Sequence, residues 1–507
     1  MSAKTTKING EEKKMKKKHL ILLLIGGFTA MSFANVSELE KQIAEKIEKL
    51  DVETNPIITH KFAADPAVLV YKDTVYVYAT NDMQQLAFTQ GKEENRYNKI
   101  NTLNVFSSKD LVNWTDLGEV KVAGKNGGEG DAKWASNSWA PAIACKNIGG
   151  KDMFFLYFAD SGNGIGVLSA PSPTGPFSDP IKKPLISRQT PNCANVNWLF
   201  DPAVMIDDDG AGYIYFGGGH DADKAEHPKT ARCAKLGTDM ISIDGEPQEI
   251  DAPYLFEDSG INKINGTYYY TYCTNWVSRT VTKDSDIPPV AVIAYMTSDN
   301  PLGPFTYRGW TLKNPGAYFG ASGNNHHWIF NFKDKYYIAY HAQTMEKMLG
   351  LEKGGYRGIY ISDFDINEDG SFPVQKKCVD AIEQVGSFNP YEEIAAATYQ
   401  SMKNVAVTAE RLLSPVADGG YVLIKGVDFG SGAGKIEINS VVAKKAKGGN
   451  LKVYLDRMDE GAKAIADIKI GKKAKQEKAI EGVSGVHDVY FVFSGNFALS
   501  SWRFQAQ

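Results

Sequence analysis

One repeated motif sets the terms for this chain. Phe200-Asp201-Pro202-Ala203-Val204-Met205-Ile206 reads as a strand with an acid at its start. Asp207-Asp208-Asp209-Gly210 reads as a tight turn, and Tyr213-Ile214-Tyr215-Phe216 as the returning strand. The same plan recurs at Asp65-Pro66-Ala67-Val68 running into Val75-Tyr76-Val77-Tyr78, and at Ala140-Pro141-Ala142-Ile143 into Phe154-Phe155-Leu156-Tyr157. It recurs again at Glu257-Asp258-Ser259-Gly260-Ile261 into Tyr268-Tyr269-Tyr270, and at His326-His327-Trp328-Ile329 into Tyr336-Tyr337-Ile338. A second, more polar hairpin follows each copy. These centre on Ser108-Lys109-Asp110, Ser172 to Phe177, Asp244-Gly245, Asp299 to Phe305 and Asn367 to Gly370. Two hairpins make a four-stranded sheet, and five such sheets predict a five-bladed β-propeller. Inner strands of a propeller face one channel, so Asp65, Asp201 and Glu257 should converge at one mouth of it.

At 507 residues the chain has room for about two or three domains. Lys and Arg number 56 against 60 Asp and Glu, a net charge of −4 that argues against a nucleic-acid partner. Tyr 25, Phe 24 and Trp 8 supply rings for a core and for stacking on sugars.

The N-terminus reads as an export signal. Met15 to His19 is a basic n-region after a polar leader, Leu20 to Phe28 a short apolar region, and Ser32-Phe33-Ala34 a cleavage site. The expected location is therefore secreted or periplasmic. The apolar run is too short to span a bilayer, and no membrane association is expected. The five cysteines include no C-x-x-C pair, which leaves room for one disulfide and at least one free thiol. Residues 35–55 carry Leu39, Ile43, Ile47 and Leu50 at helical spacing and predict a short amphipathic helix or linker. The propeller should span 56–388. From 389 to 507, short alternating strands (Tyr421–Ile424, Lys435–Ile438, Leu451–Leu455, Val489–Phe493) predict a jelly-roll-like β-sandwich, with Lys472 to Lys475 as a solvated loop.

Carboxyl groups in different protonation states are what glycosidic hydrolysis needs: one protonated to release the leaving oxygen, one ionised to activate water or attack the sugar. A third can tune the acid by like-charge repulsion. Asp65, Asp201 and Glu257 suit that set, although strand capping or ion binding in the channel would use the same residues. Glu257 follows Leu255-Phe256, an apolar side that favours the protonated form.

The motifs Ala64-Asp65-Pro66-Ala67, Phe106 to Trp114, Trp139-Ala140-Pro141, Pro173 to Phe177, Phe200 to Val204, Phe256-Glu257 and Asn325-His326-His327 resemble glycoside hydrolase family 43 across about residues 60–385. The resemblance implies an inverting mechanism with Asp65 as general base, Glu257 as general acid and Asp201 as the carboxylate that tunes and orients the acid. Acid and base would stand roughly 6.5–9.5 Å apart. It also implies a calcium ion in the channel held by His326 or, second, His327, and an arginine, Arg357, that reaches the sugar near the acid. Trp139, Phe62, Trp198 and Asn197 are candidate sugar contacts, with Trp276 and Phe319 further out. Asn389 to Ala396, Gly426 to Gly430 and Gly485 to Phe493 resemble a family 6 carbohydrate-binding module. Ala498 stands near the place where that family carries a ligand-gripping asparagine, so a purely structural role for this domain is an alternative to sugar binding.

The expected activity is removal of α-L-arabinofuranosyl branches from arabinoxylan, a plant cell-wall polysaccharide, by a monomer. This branch preference rests on the resemblance around Ser107–Trp114 and Pro173–Phe177. A β-xylosidase and a non-catalytic carbohydrate-binding propeller are the alternatives.

Overall fold

The computed structural model describes residues 36–282, 287–376 and 378–507; the expected signal segment at 1–34 lies outside them. Five antiparallel sheets follow one another along the chain. Blade 1 holds β1 (Ala64–Tyr71), β2 (Thr74–Thr80), β3 (Thr102–Ser108) and β4 (Trp114–Lys121). Blade 2 holds β5 (Trp139–Ile148), β6 (Lys151–Ala159) and β7 (Ile165–Ala170). Blade 3 holds β8 (Ala203–Ile206), β9 (Gly212–Phe216), β10 (Ala231–Leu236) and β11 (Ile243–Ile250). Blade 4 holds β12 (Leu255–Ile264), β13 (Thr267–Thr274), β14 (Ile293–Ser298) and β15 (Thr306–Leu312). Blade 5 holds β16 (His327–Phe332), β17 (Lys335–Ala342) and β18 (Gly358–Asp363). Each first strand touches the next, β1 to β5 to β8 to β12 to β16, and β16 returns to β1. The ring is closed, and it is the expected propeller.

Three details differ from the sequence expectation. Blades 2 and 5 have three strands. In blade 2 the fourth strand shrinks to two isolated bridges, Ser169 with Ser178 and Ile165 with Ile186. In blade 5 the chain before the propeller lies alongside β18, with Ile57 N–H donating to the Ile359 carbonyl and the Asn55 side chain bracketing Ile361. In blade 3 the second hairpin turns at residues 237–242, because Gly237 and Ser242 close it, and Asp244-Gly245 lies inside β11.

Helix α1 (Glu38–Lys46) begins at a Ser37–Glu40 capping box and buries Ile43. It ends before the last predicted apolar position: Ile47 is extended, and Leu50 stays 55% exposed. Helix α2 (Asp82–Thr89) follows β2 and buries Asp82, Gln85 and Leu86. Ile43, Ile47, Phe62, Leu86, Met345, Leu349 and Tyr356 form one cluster.

The C-terminal domain is the predicted sandwich of two antiparallel sheets. Strands 466–470, 475–483 and 498–506 add to those read from sequence. Residues 472–474 form the predicted solvated loop, with Lys472 donating to the Lys444 and Ala446 carbonyls, and Lys475 opens the strand 475–483. The sandwich is not hung from a linker. Thr398–Tyr399 pairs with β4 as an extra strand of blade 1, and Trp114, Phe106, Tyr399, Val422, Ile436 and Trp502 share one continuous core. All five cysteines are free thiols, so the disulfide for which the sequence left room does not form.

Candidate active site

The site grows out of a bulge repeated at the start of the inner strands. Asp65, Ala140, Asp201 and Asp258 all carry positive φ, at 50°, 28°, 47° and 68°. Pairing skips across the first, second and last: Ala64 pairs with Thr80 and Ala67 with Tyr78, Trp139 with Ala159 and Ala142 with Tyr157, Glu257 with Cys273 and Gly260 with Thr271. A non-glycine residue held in this region costs of order 1–3 kcal/mol, so such strain persists only where the surroundings over-determine it. Here those surroundings are visible. The amide of Asp65 donates to His341 Nδ1 at 3.1 Å, that of Ala140 to Thr80 Oγ1 at 2.9 Å and that of Asp258 to Asp201 Oδ2 at 3.0 Å.

This register corrects the sequence reading in one respect. The equivalent of Asp65 and Asp201 in blade 4 is Asp258. Glu257 sits one position earlier, with Ala64, Trp139 and Phe200.

Asp65, Asp201 and Glu257 come together as predicted. They line one cavity of about 610 Å³ with Trp139, Asn197, Trp198, His326, Arg357, Tyr97 and Arg188, a volume in the range of small-ligand sites. All three acids are buried. Burial alone would raise the Asp65 carboxyl, but Arg357, whose Nη1 donates to Oδ1 at 2.8 Å, and His341 and His326 hold it well below the usual carboxylate range. Burial first, then the charges of Asp201, Asp258 and Asp65, push Glu257 well above its ordinary value. Its Oε1 is buried without a hydrogen-bond partner. Burial and Asp65 likewise raise Asp201. An ionised group and a protonated group thus face the same cavity.

His326 lies among these acids, with Nδ1 at 3.7 Å from Asp65 and 3.9 Å from Asp201, and Nε2 at 3.1 Å from Asp258. Burial lowers its pKa. His327 does not line the cavity: Nδ1 meets Asp258 Oδ2 at 2.5 Å and Nε2 meets Thr271 at 2.8 Å, so both ring nitrogens are occupied. It has none left for an ion. Among the described residues no group of three or more His, Cys, Asp or Glu converges as a metal site.

The predicted sugar contacts divide. Trp139 lines the cavity with its indole N–H on the Tyr97 carbonyl at 2.9 Å. Trp198 is 43% exposed over Phe200 and Phe256, and Asn197 is tied to Asp221 at 2.9 Å. Phe62 is fully buried against Tyr356 in the cluster under α1, so it cannot touch a sugar. Trp276 and Phe319 do not border the cavity either. Arg357 lines the cavity together with Glu257 and donates to Asp65. The segments around Ser107–Trp114 and Pro173–Phe177 are turns away from the cavity. Asp110 caps the first by accepting from the Val112 and Asn113 amides.

Asp82, Asp258, His341 and Tyr97 escaped the sequence reading. Asp82, His341 and Thr80 share a signal: each sits at or just past the end of a second strand, which in an antiparallel hairpin lies at the same mouth as the start of the first.

The family described as Glycosyl hydrolases family 43 matches residues 53–372, and Carbohydrate binding module (family 6) matches 393–506. The chain is 43% identical to an arabinoxylan arabinofuranohydrolase of Paenibacillus polymyxa over 486 residues, 90% of this chain and 75% of that protein. It is 43% identical to an arabinoxylan arabinofuranohydrolase of Bacillus subtilis, over 89% of this chain and 92% of that protein. The crystal structure of a family 43 arabinoxylan arabinofuranohydrolase from Bacillus subtilis in complex with cellotetraose is similar with a TM-score of 0.85 and 42% identity, covering 92% of this chain and 100% of that one.

Proposed function

The chain belongs to glycoside hydrolase family 43, and on that footing we propose that it is an α-L-arabinofuranosidase that removes arabinofuranosyl branches from arabinoxylan with inversion. The observation that carries the mechanism is the opposite bias of two buried carboxyls on one cavity, Asp65 held ionised and Glu257 held protonated. In this reading Asp65 takes a proton from water as that water attacks the anomeric carbon. Glu257 gives its proton to the leaving glycosidic oxygen. Asp201 accepts the Asp258 amide and adds its charge to the field that keeps Glu257 protonated. Trp139, Trp198 and Asn197 would meet the sugar or the polymer at the rim.

Calcium belongs to the same proposal, with His326 as the residue that would hold it. Support comes from its place among Asp65, Asp201 and Asp258 and from the depressed pKa that keeps a ring lone pair available. Bound there, the ion would supply positive charge beneath the acids and draw its other ligands from water. Metal analysis of purified protein before and after chelation checks it. Export, supported by the pattern over residues 15–34, and a monomeric state are checked by cell fractionation and by light scattering.

The deciding experiment is product analysis on wheat arabinoxylan, debranched arabinan and xylo-oligosaccharides in parallel, with the first-formed anomer read by NMR. Arabinose from arabinoxylan, released initially as the β-anomer, is the expected result. Xylose from the oligosaccharides would move the activity to β-xylosidase, and retention of configuration would refute the roles given to Asp65 and Glu257.

A further inference from the structure

Arg357 is held from two sides. Asp82, the first residue of α2, is fully buried and faces it as a fork. Asp82 Oδ2 accepts from the Arg357 amide at 3.1 Å and from Nε at 2.9 Å, and Oδ1 accepts from Nη2 at 2.8 Å. The guanidinium lies 4.8 Å from the centre of the Tyr97 ring. Only Nη1 is left to reach Asp65, and it does so on Oδ1 at 2.8 Å. The contacts from His341 and His326 fall on the same oxygen, at 3.2 and 3.7 Å.

A guanidinium and a carboxylate left to themselves prefer the bidentate arrangement, with two parallel N–H···O bonds. Arg357 facing Asp65 alone would engage both carboxylate oxygens, so that neither would be left clear of the guanidinium for a water. Asp82 prevents this by occupying Nε and Nη2 first. We propose that Asp82 is a positioning residue: by taking the fork of Arg357 it restricts that arginine to one oxygen of Asp65 and leaves the other oxygen to act on water.

This rests on the reading of Asp65 as the base. It does not depend on which sugar is cleaved, because water activation is common to arabinofuranosides and xylosides. The test therefore uses whichever chromogenic glycoside the wild type turns over. A wild type inactive on the arabinoside but active on the xyloside overturns the substrate assignment and leaves this inference open to measurement.

Asp82→Asn keeps the shape but loses the charge and one acceptor. Its kcat is expected to fall about 100-fold, the scale for a misplaced catalytic group, with KM within about threefold. Because Asp82 acts through Arg357, the two effects should not add: Asp82→Asn in an Arg357→Lys background should cost less than about threefold more than Arg357→Lys alone. A purely structural role would give independent losses that multiply. If Asp82→Asn does not fold, the same cycle is run with Asp82→Glu, which keeps the charge but displaces the fork. Multiplying losses, a KM rise at unchanged kcat, or failure of both Asp82 variants to fold would each overturn the proposal.

Discussion

Removing residues 391–507 should unfold the propeller rather than trim it. A carbohydrate-binding module is usually pictured as a separable domain, but the contacts here are those of a shared core. The Tyr399 hydroxyl accepts from the Thr59 amide at 3.0 Å and meets His60 Nδ1 at 2.7 Å, and His60 Nε2 meets Asp116 at 2.9 Å. The Asp116 amide donates to the Ala397 carbonyl, Thr115 bonds Thr398, and Asn113 makes a reciprocal pair with the Lys425 backbone. The Gln400 side chain donates to the Leu50 carbonyl, and the Asn404 amide to that of Ala44. At about 1 kcal/mol net each, these bonds alone come to roughly 8 kcal/mol. Uncovering Trp114, fully buried under this strand pair, adds about 2–3 kcal/mol. The sum matches the roughly 5–15 kcal/mol that holds a whole domain together. Residues 36–390 and 36–507 would be produced side by side, with melting followed by circular dichroism and turnover of a chromogenic arabinoside. The shorter chain is expected to be insoluble or to lack a cooperative transition. A folded 36–390 that melts within about 3 °C of the longer chain and keeps its kcat would refute the reasoning.

Two further outcomes follow from the buried charges. Glu257→Gln should lose most activity on arabinoxylan yet melt higher than wild type near pH 8. A carboxyl whose folded pKa is raised loses stability as pH climbs from its unfolded value toward the folded one, and the amide is spared this. The gap should close near pH 4.5, and a variant less stable than wild type at pH 8 would contradict the assignment. Lys49 is buried with only the Pro56 carbonyl at 2.9 Å, and burial brings its pKa down to about 7. The folded chain thus pays for a charged Lys49 below that pH, and stability should rise between pH 7 and 10.5, by up to about 5 kcal/mol in all. Lys49→Met should melt higher than wild type at pH 6 and converge with it near pH 10; equal melting at both would show that Lys49 is solvated.

The propeller was legible because each blade begins with an apolar run, a turn and an aromatic run, a pattern that survives loss of the fourth strand. That loss was not legible. Ser172 to Phe177 in blade 2 has turn chemistry as good as that of a true hairpin, and only tertiary pairing shows that the chain beyond it makes no more than isolated bridges. The continuous core was hidden for a similar reason. Nothing in the spacing of Tyr399 and Trp114 says that their strands pair. Phe62 failed as a sugar contact because an aromatic three residues before an acid can face either way. Here it packs toward Ile43 and Leu86.

At the site, the acids were found because carboxylates at strand starts stand out, but their relation to one another was set by one residue of register. Asp65 and Asp201 occupy the left-handed position, where the bulge holds them against groups of other blades, Arg357 and the Asp258 amide. Glu257 occupies the position before it, shared with Trp139 and Phe200, whose side chains also line the cavity, and its Oε1 has no hydrogen-bond partner there. Had the acid stood at 258, it would have met His327 through both oxygens and His326 at 3.1 Å, as Asp258 does. The left-handed place alone does not ionise a carboxyl: Asp65 is held down by Arg357, whereas Asp201 in the same place is pushed up by burial and by Asp65. The offset between Asp65 and Glu257, together with the bond from Arg357, gives the two proposed roles different surroundings on strands that are otherwise copies of each other.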